Sequence, residues 1–394
     1  MSTGWETVNL CEITHNLDNQ RVPLNDSQRN DMKKLKVYPY IGANNILDYI
    51  DEYIFDQEIL CIAEDGGSWG YQQKCAFIVK EKCWVNNHAH VLTATEKCHL
   101  KYLMYFLNYT DLSYVITGTT RGKLTKSALN KIKIPLPPLK EQKKIAAILD
   151  KAQALIDKRK EAIIKLDELI QAVFLDMFGD PMQNEKGWNI VKISDVVDDI
   201  ISGWSVGGKE RERNDDELAV LKISSVTSGT FKPDEYKVVS KDVINRKLVH
   251  PLKGDILFSR ANTRELVGAC CIVEDDYFDL FLPDKLWKIK LNESIVNKYF
   301  FSSVLSNSSF RTIISNRASG TSGSMMNISK SKLLDLAIIL PLLEKQSKYE
   351  TIKRGIDRQK SIMKKQLIQL ETNFNALLQR AFKGELTSST DFEE

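Results

Sequence analysis

The chain has 394 residues, of which 43% are hydrophobic and 27% charged, with a net charge of +3. This composition excludes a disordered or fibrous chain and is long enough for two or more domains with their own cores. No stretch approaches the ~18 apolar residues of a membrane span, and MSTGWETVNL has no basic segment leading into an apolar run, so a cytoplasmic chain without membrane association is expected.

In chain order, residues 4 to 14 (GWETVNLCEIT) alternate apolar and polar positions as a first strand would, with Val8 and Leu10 inward. Short apolar runs at 59 to 63 and 76 to 79 predict strands, and HLKYLMYFLN (99 to 108) predicts an amphipathic helix. RGKLTKSALNKIK (121 to 133) carries five basic residues and no acidic one, with a short helix predicted over 126 to 131. A prolyl linker then opens a long periodic stretch, Ile134 to Asp180, and GDPMQNEKG (179 to 187) leads into the second half. There GWNIVKISDVV (187 to 197) repeats the beginning of the chain, with Gly187 and Trp188 in the places of Gly4 and Trp5. Strands are predicted at 219 to 223, 255 to 259 and 286 to 291, helices at 294 to 306 and 330 to 334, and a second long helix within Ile338 to Glu385. Trp5 and Trp188 read as core anchors of their strands. The expected segments are 1–138 (domain 1), 139–180 (long helix), 181–342 (domain 2), 343–386 (long helix) and 387–394 (polar tail).

The two long stretches are copies: a shift of 204 residues puts Pro137 on Pro341, Gln142 on Gln346, Leu166 on Leu370 and Phe178 on Phe382 without a gap. Steps of four and three through the first copy meet Ile145, Leu149, Ile156, Ile163, Leu166, Ile170 and Val173, with Arg159 the one polar residue on that seam. The second copy offers Ile356, Met363, Leu367, Leu370, Phe374 and Leu377, interrupted by Lys353 and Lys360. Each helix is expected to run about 36 residues, roughly 55 Å. So long an apolar stripe cannot bury itself, and its best partner is the other copy, in an antiparallel coiled coil. The fold expected is α+β: two mixed α/β domains in pseudo-two-fold repeat, separated by two long helices.

The sequence carries no recognisable catalytic motif. No Gly-rich cofactor loop or Asn/Asp-Pro-Pro-Tyr tetrapeptide is present, and in GTTRGKLT only three residues separate Gly118 from Gly122, with Leu124 where a phosphate loop needs Ser or Thr. Cys83, His88, His90, Cys98 and His99 lack the paired spacing of a closed zinc site, and no metal is expected. The seven cysteines, without a C-x-x-C pair, read as reduced thiols. The chain reads as a binder, with no catalytic residue.

A duplicated variable domain plus long helix, introduced by IPLPPLKEQKKIA (134 to 146), resembles the specificity (HsdS-type) subunits of bacterial and archaeal type I restriction-modification systems. The resemblance covers essentially the whole chain, although the second copy has one proline (LPLL, 340 to 343) in place of two. It implies a non-catalytic DNA-binding subunit whose domains each read half of a split double-stranded target. It further implies that the helices set the unread gap and dock two modification subunits, which would carry S-adenosylmethionine and methylate a flipped adenine. Two restriction subunits using ATP and Mg would complete a restriction complex. No cofactor is expected on this chain. A helical scaffold that does not read sequence is the alternative.

Reading DNA calls for Arg and Lys at phosphates and for Arg, Lys, Asn, Gln, Ser or Thr at base edges. In the first domain the candidates are Thr119, Thr120, Arg121, Lys123 and Lys126, then Gln72, Gln73 and Lys74, with Trp69 or Tyr71 packing on sugar. In the second they are Arg317, Ser319, Thr321, Ser322, Ser324 and Asn327, joined by Ser205, Lys209 and Arg211 and by Arg260, Asn262 and Arg264. The Gly-Thr loops at 118 and 320 are favoured, because both precede the same kind of helix.

Overall fold

The computed structural model describes residues 4–320 and 325–386. Contacts divide the chain into two compact α+β units, one holding residues up to 160 together with those from 365, the other residues 161–364. This division differs from the linear segmentation, because each unit takes one domain and half of each long helix. The polar tail, 387–394, lies outside the described residues.

The first unit contains β1 (Glu6–Asn9), β2 (Thr14–Asn16), α1 (Asp26–Asp31), β3 (Tyr38–Ile41), β4 (Ile46–Ile50), β5 (Ile59–Ala63), β6 (Ala76–Val79), β7 (Trp84–Val85) and β8 (Ala89–Ala94). It continues with α2 (Leu100–Tyr109), α3 (Lys126–Asn130), β9 (Lys133–Leu136) and α4 (Leu139–Phe178), the last of which runs on into the second unit. The second unit repeats this order with β10 (Asn189–Lys192), β11 (Val197–Ser202), β12 (Leu218–Leu221), β13 (Tyr236–Val239), β14 (Ile256–Ser259), β15 (Ala261–Asn262), β16 (Cys270–Ile272), β17 (Leu280–Phe281) and β18 (Leu286–Leu291). Then come α5 (Lys298–Ser306), α6 (Ser308–Arg317), β19 (Met326–Asn327), α7 (Lys330–Leu334), β20 (Ala337–Leu340) and α8 (Leu343–Phe382).

The larger sheets match strand for strand. One antiparallel four-stranded sheet, β2-β8-β5-β6, has its counterpart in β11-β18-β14-β16, and the three-stranded β4-β3-β7 in β13-β12-β17. Strand β5 is buried at all five positions, which is why it reads as a continuous apolar run rather than an alternation. In each unit the opening strand pairs antiparallel with the strand preceding the long helix: Val8 opposes Ile134, and Val191 opposes Ile338. The repeated beginning of each half thus closes its own domain. Helix α6 was not foreseen, because SSFRTIISNR is too polar to show an apolar stripe; Asn307 starts it by accepting from the N–H groups of Ser309 and Phe310.

Helices α4 and α8 are 40 residues each, about 60 Å, and begin at equivalent residues although Leu342 stands where the first copy has Pro138. The Gln142 N–H donates to Pro138 O (3.1 Å) and the Gln346 N–H to Leu342 O (3.2 Å), so the first turn closes alike in both. What the two share is a buried glutamine. The Gln142 Nε2 donates to Pro137 O (2.8 Å) and Lys97 O (2.9 Å), while its Oε1 accepts the His99 N–H (2.9 Å). The Gln346 Nε2 donates to Pro341 O (2.7 Å) and Ile295 O (3.4 Å), and its Oε1 accepts the Asn297 N–H (2.8 Å). His99 and Asn297 are the residues from which α2 and α5 spring.

Within the first unit the early turns of α4 share a core with the late turns of α8: Ile145, Leu149, Leu378 and Ala381 are buried together, with Phe374 and Leu377 packed against them. Lys160 meets Glu371 (2.9 Å). Within the second unit the late turns of α4 meet the early turns of α8, with Phe174 edge-on to Tyr349 at 5.6 Å and Lys360 paired with Asp167. The helices are therefore antiparallel in both. Ile156 is buried, whereas Ile163, Leu166, Ile170, Val173, Ile356, Met363, Leu367 and Leu370 are half-buried. A second set of apolar residues, Leu155, Ile164, Leu169 and Leu175 on α4 and Ile352, Ile362 and Ile368 on α8, stays exposed.

Replacing Gln142 by Ala strips the partly buried His99 N–H and the Pro137 and Lys97 carbonyls of their partner, and stability is expected to fall by roughly 2–4 kcal/mol, read from chemical denaturation.

Candidate nucleic-acid interface

In the first unit two loops meet at the end of β5. The hairpin at 117 to 123 is closed by a pair of backbone bonds between Thr117 and Lys123 (2.7 and 2.9 Å), and it is tied to the loop after β5 by Leu124 N–H to Glu64 O (2.7 Å) and Gly66 N–H to Gly122 O (3.3 Å). Gly118 sits at φ +94°, and a Cβ there would lie 2.4 Å from Arg121 O, so this turn requires glycine. Trp69 is buried beneath the hairpin and donates its indole N–H to Ala63 O (3.2 Å); it supports the loops from within and is not available to a sugar, contrary to the sequence expectation. Tyr71 is exposed.

Thr119, Thr120, Arg121, Lys123, Lys126, Gln72, Gln73 and Lys74 all lie exposed on these segments. Gln73 turns its Oε1 back to the Gly70 N–H (2.8 Å), whereas Gln72 holds a left-handed backbone at φ +56°. Arg121 and Lys123 are not free. Arg121 pairs with Asp65 (2.6 Å), which also contacts His88 (2.9 Å), and Lys123 pairs with Glu64 (3.2 Å), itself held by Arg21 (2.7 Å). Beneath them His90 bridges Asp18 (2.6 Å) and Leu124 O (2.8 Å). Sequence reasoning missed Asp18, Arg21, Glu64, Asp65, His88 and His90, because their pairing depends on strands far apart in the chain. The one local signal was the Glu64-Asp65 pair ending the apolar run of β5.

The second unit builds the same frame. Ser319 and Asn327 exchange backbone bonds (2.8 and 2.9 Å) as Thr117 and Lys123 do, and Ile328 N–H to Arg260 O (3.0 Å) stands for Leu124 N–H to Glu64 O. Likewise Arg260 N–H donates to Lys285 O (3.0 Å) as Glu64 N–H does to His88 O (2.9 Å). Strands β15 and β19 set Asn262 opposite Met326 and Asn327 opposite Ala261, with both asparagines half-buried. Ser205 joins Arg260 on Asp284. Burial works to raise the Asp284 pKa, but the hydrogen bonds from Ser205 and Arg260 outweigh it and hold the carboxyl below its usual range. Arg264 reaches Asn316 (3.3 Å), and Arg317, foreseen in a loop, ends helix α6, 3.9 Å from Asp335. Lys209 pairs through its backbone with Val238 on β13, and Arg211 is held by Glu217, whose pKa this bond lowers to about 2. Thr321, Ser322 and Ser324 lie outside the described residues.

Two copies of one loop frame, each on its own domain and each followed by the same helix, are what a two-part reader requires. The family described as "Type I restriction modification DNA specificity domain" matches residues 2–167 and again 185–372. The chain belongs to the type I restriction-modification specificity family. It is the kind of subunit that supplies DNA sequence specificity to such a system. The chain S.HindORF215P of Haemophilus influenzae, named as a type I restriction enzyme specificity subunit, is 30% identical over 307 residues, 74% of each chain. The MjaVIII specificity subunit of Methanocaldococcus jannaschii is 27% identical over 376 residues, 89% of this chain and 86% of that one. In fold, the type I system S subunit from M. genitalium matches 96% of both chains with a TM-score of 0.61 at 14% identity. A chain from a structure concerning complex assembly and conformational transition of the type I system matches 97% of this subunit and 98% of that chain, at a TM-score of 0.53 and 17% identity. Among the described residues no helix is long and apolar enough to cross a membrane.

The carboxylate below the first frame gives this specificity subunit a defined pH response. Burial works to raise the Asp18 pKa, and bonds from His90, Asn16 and the Val91 N–H outweigh it, leaving the group below its usual 3.8. A lowered folded pKa means that its stabilisation is complete above about pH 4 and is lost as pH falls through the folded value. Asp18→Asn is therefore expected to lower the melting temperature at pH 7, and the gap to wild type should narrow in melts recorded at pH 3 to 3.5.

Proposed function

We propose that each domain reads one half of a bipartite double-stranded DNA target through its loop frame, and that the paired helices measure the unread gap between the halves. The recurrence of the Thr117/Lys123 frame as Ser319/Asn327 carries this reading. It supports two equivalent reading heads whose side chains differ: exposed Thr119, Thr120, Arg121 and Lys123 in one, exposed Ser319 and Arg317 with half-buried Asn327 in the other. Side chains of these types pair with base edges and phosphates in the major groove. A chain that duplicates one unit mimics a two-fold dimer, in which half-site spacing follows from protein geometry.

The exposed apolar residues of α4 and α8, Leu155, Ile164, Leu169, Ile352, Ile362 and Ile368 among them, support the helix pair as a dock for two modification subunits in a cytoplasmic complex. Those subunits would bring S-adenosylmethionine and methylate an adenine extruded from the duplex. Restriction subunits using ATP and Mg would complete a nuclease. This chain itself contributes recognition and no chemistry.

Exchanging residues 1–133 for those of a relative is expected to change one half of the methylated motif and leave the other half and the gap intact, as read by mapping methylated adenines genome-wide. A changed gap, or no change, would refute it. Adding one heptad to both long helices should alter the gap, or abolish assembly, while the bases of each half-site stay the same.

A further inference from the structure

Arg260 differs from every other candidate at the two frames in how its guanidinium is held. Its Nε donates to Asp284 O (2.8 Å) and its Nη2 to the Asp284 carboxylate (3.0 Å), so one edge of the planar group is bound to a single residue. Asp284 is fixed in turn: the Ser205 hydroxyl donates to its other carboxylate oxygen and accepts the Asp284 N–H (3.2 Å). The backbone of Arg260 is pinned on both sides, by Lys285 O and by the Ile328 N–H. Among the described residues no group meets the opposite edge, formed by Nη1 and the second hydrogen of Nη2, and the side chain is 29% exposed.

A guanidinium with one edge anchored to a carboxylate and the other free presents two parallel N–H groups at fixed spacing. That edge matches the O6 and N7 acceptors of guanine, whereas adenine offers an acceptor and a donor and repels one of the two. Prior anchoring also removes most of the rotamer entropy that a free arginine would lose on binding. The equivalent position in the first unit is Glu64, which is occupied by Arg21 and Lys123 and cannot make this contact.

We propose that Arg260 reads a guanine in the half-site of the second domain, with Asp284 and Ser205 as its positioning residues. This rests on the reading of that domain as a half-site reader. The first domain lacks the device, so the two half-sites are read by different chemistry on one backbone frame.

The test uses this chain in complex with its methyltransferase subunit, mapping methylated motifs for wild type, Arg260→Ala, Arg260→Lys and Asp284→Asn, with melting temperatures measured alongside. The wild-type motif should hold a fixed G·C pair in the second half-site. Arg260→Ala should relax that one position, with preference for guanine falling on the order of 10-fold or more. Asp284→Asn should relax the same position less, and Arg260→Lys, which cannot form the fork, should not restore it. The first half-site should not change. If Arg260→Ala abolishes all methylation, Asp284→Asn decides by the same criterion. An intact motif in the substituted complexes, even with a lowered melting temperature, overturns the proposal and leaves the half-site reading standing, as does a second half-site with no fixed G·C pair. A wild-type complex that methylates no two-part motif overturns both.

Discussion

The structure depends on a pair of buried amides. Gln142 and Gln346 each tie three backbone segments together: the linker carbonyl before the long helix, a carbonyl just ahead of the domain's own helix, and the N–H from which that helix springs. Both side chains are fully buried, so every one of these polar groups would be costly without its partner. A neutral amide suits the place because it donates and accepts at once, where a carboxylate could accept only. The consequence is that the long helix leaves its domain in one direction and not another. Because the same bonds occur in both copies, the exit is the same for each.

Around these anchors, what is preserved is backbone and what varies is side chain. The frame at the end of β5 and of β14 is made of N–H to carbonyl bonds, which tolerate any residue that reaches the required φ and ψ. Glu64 can thus become Arg260, and Lys123 become Asn327, with no loss of the scaffold. Each change then calls for new counter-charges: Arg21 and Lys123 around Glu64, Asp284 beside Arg260. A recognition surface can change its polar chemistry on such a frame without refolding. This is how two halves share a fold while presenting different side chains.

The charged interruptions of the helix seam follow a related logic. Arg159 reaches Gln366 and Lys360 reaches Asp167 across the pair, while Lys353 turns along its own helix to Asp357 (3.0 Å). Their stems cover the apolar stripe and their charges find partners at its rim. Such rim pairs contribute little net stability, so their value is in register: a slip of one helical turn would strand a lysine against apolar side chains.

The sequence by itself determined the duplication, the two long helices with their seam, the strand-like character of the domains and the family to which they point. These are legible because helical periodicity, proline linkers and repeated landmarks are local properties that burial stamps directly on the residue order. Even the buried glutamine was visible as a matched position, though not its role. Helix α6, the support role of Trp69 and the carboxylates Asp65, Glu64 and Asp284 behind the basic loops were not legible. The partners of these carboxylates lie 24 to 79 positions away, as Arg260, Arg121 and Ser205 show, and no local pattern records which strand ends will meet. Tertiary structure alone decided which cations are spent on internal pairs and which present a free edge, because that depends on distances set by sheet pairing rather than by neighbours in the chain.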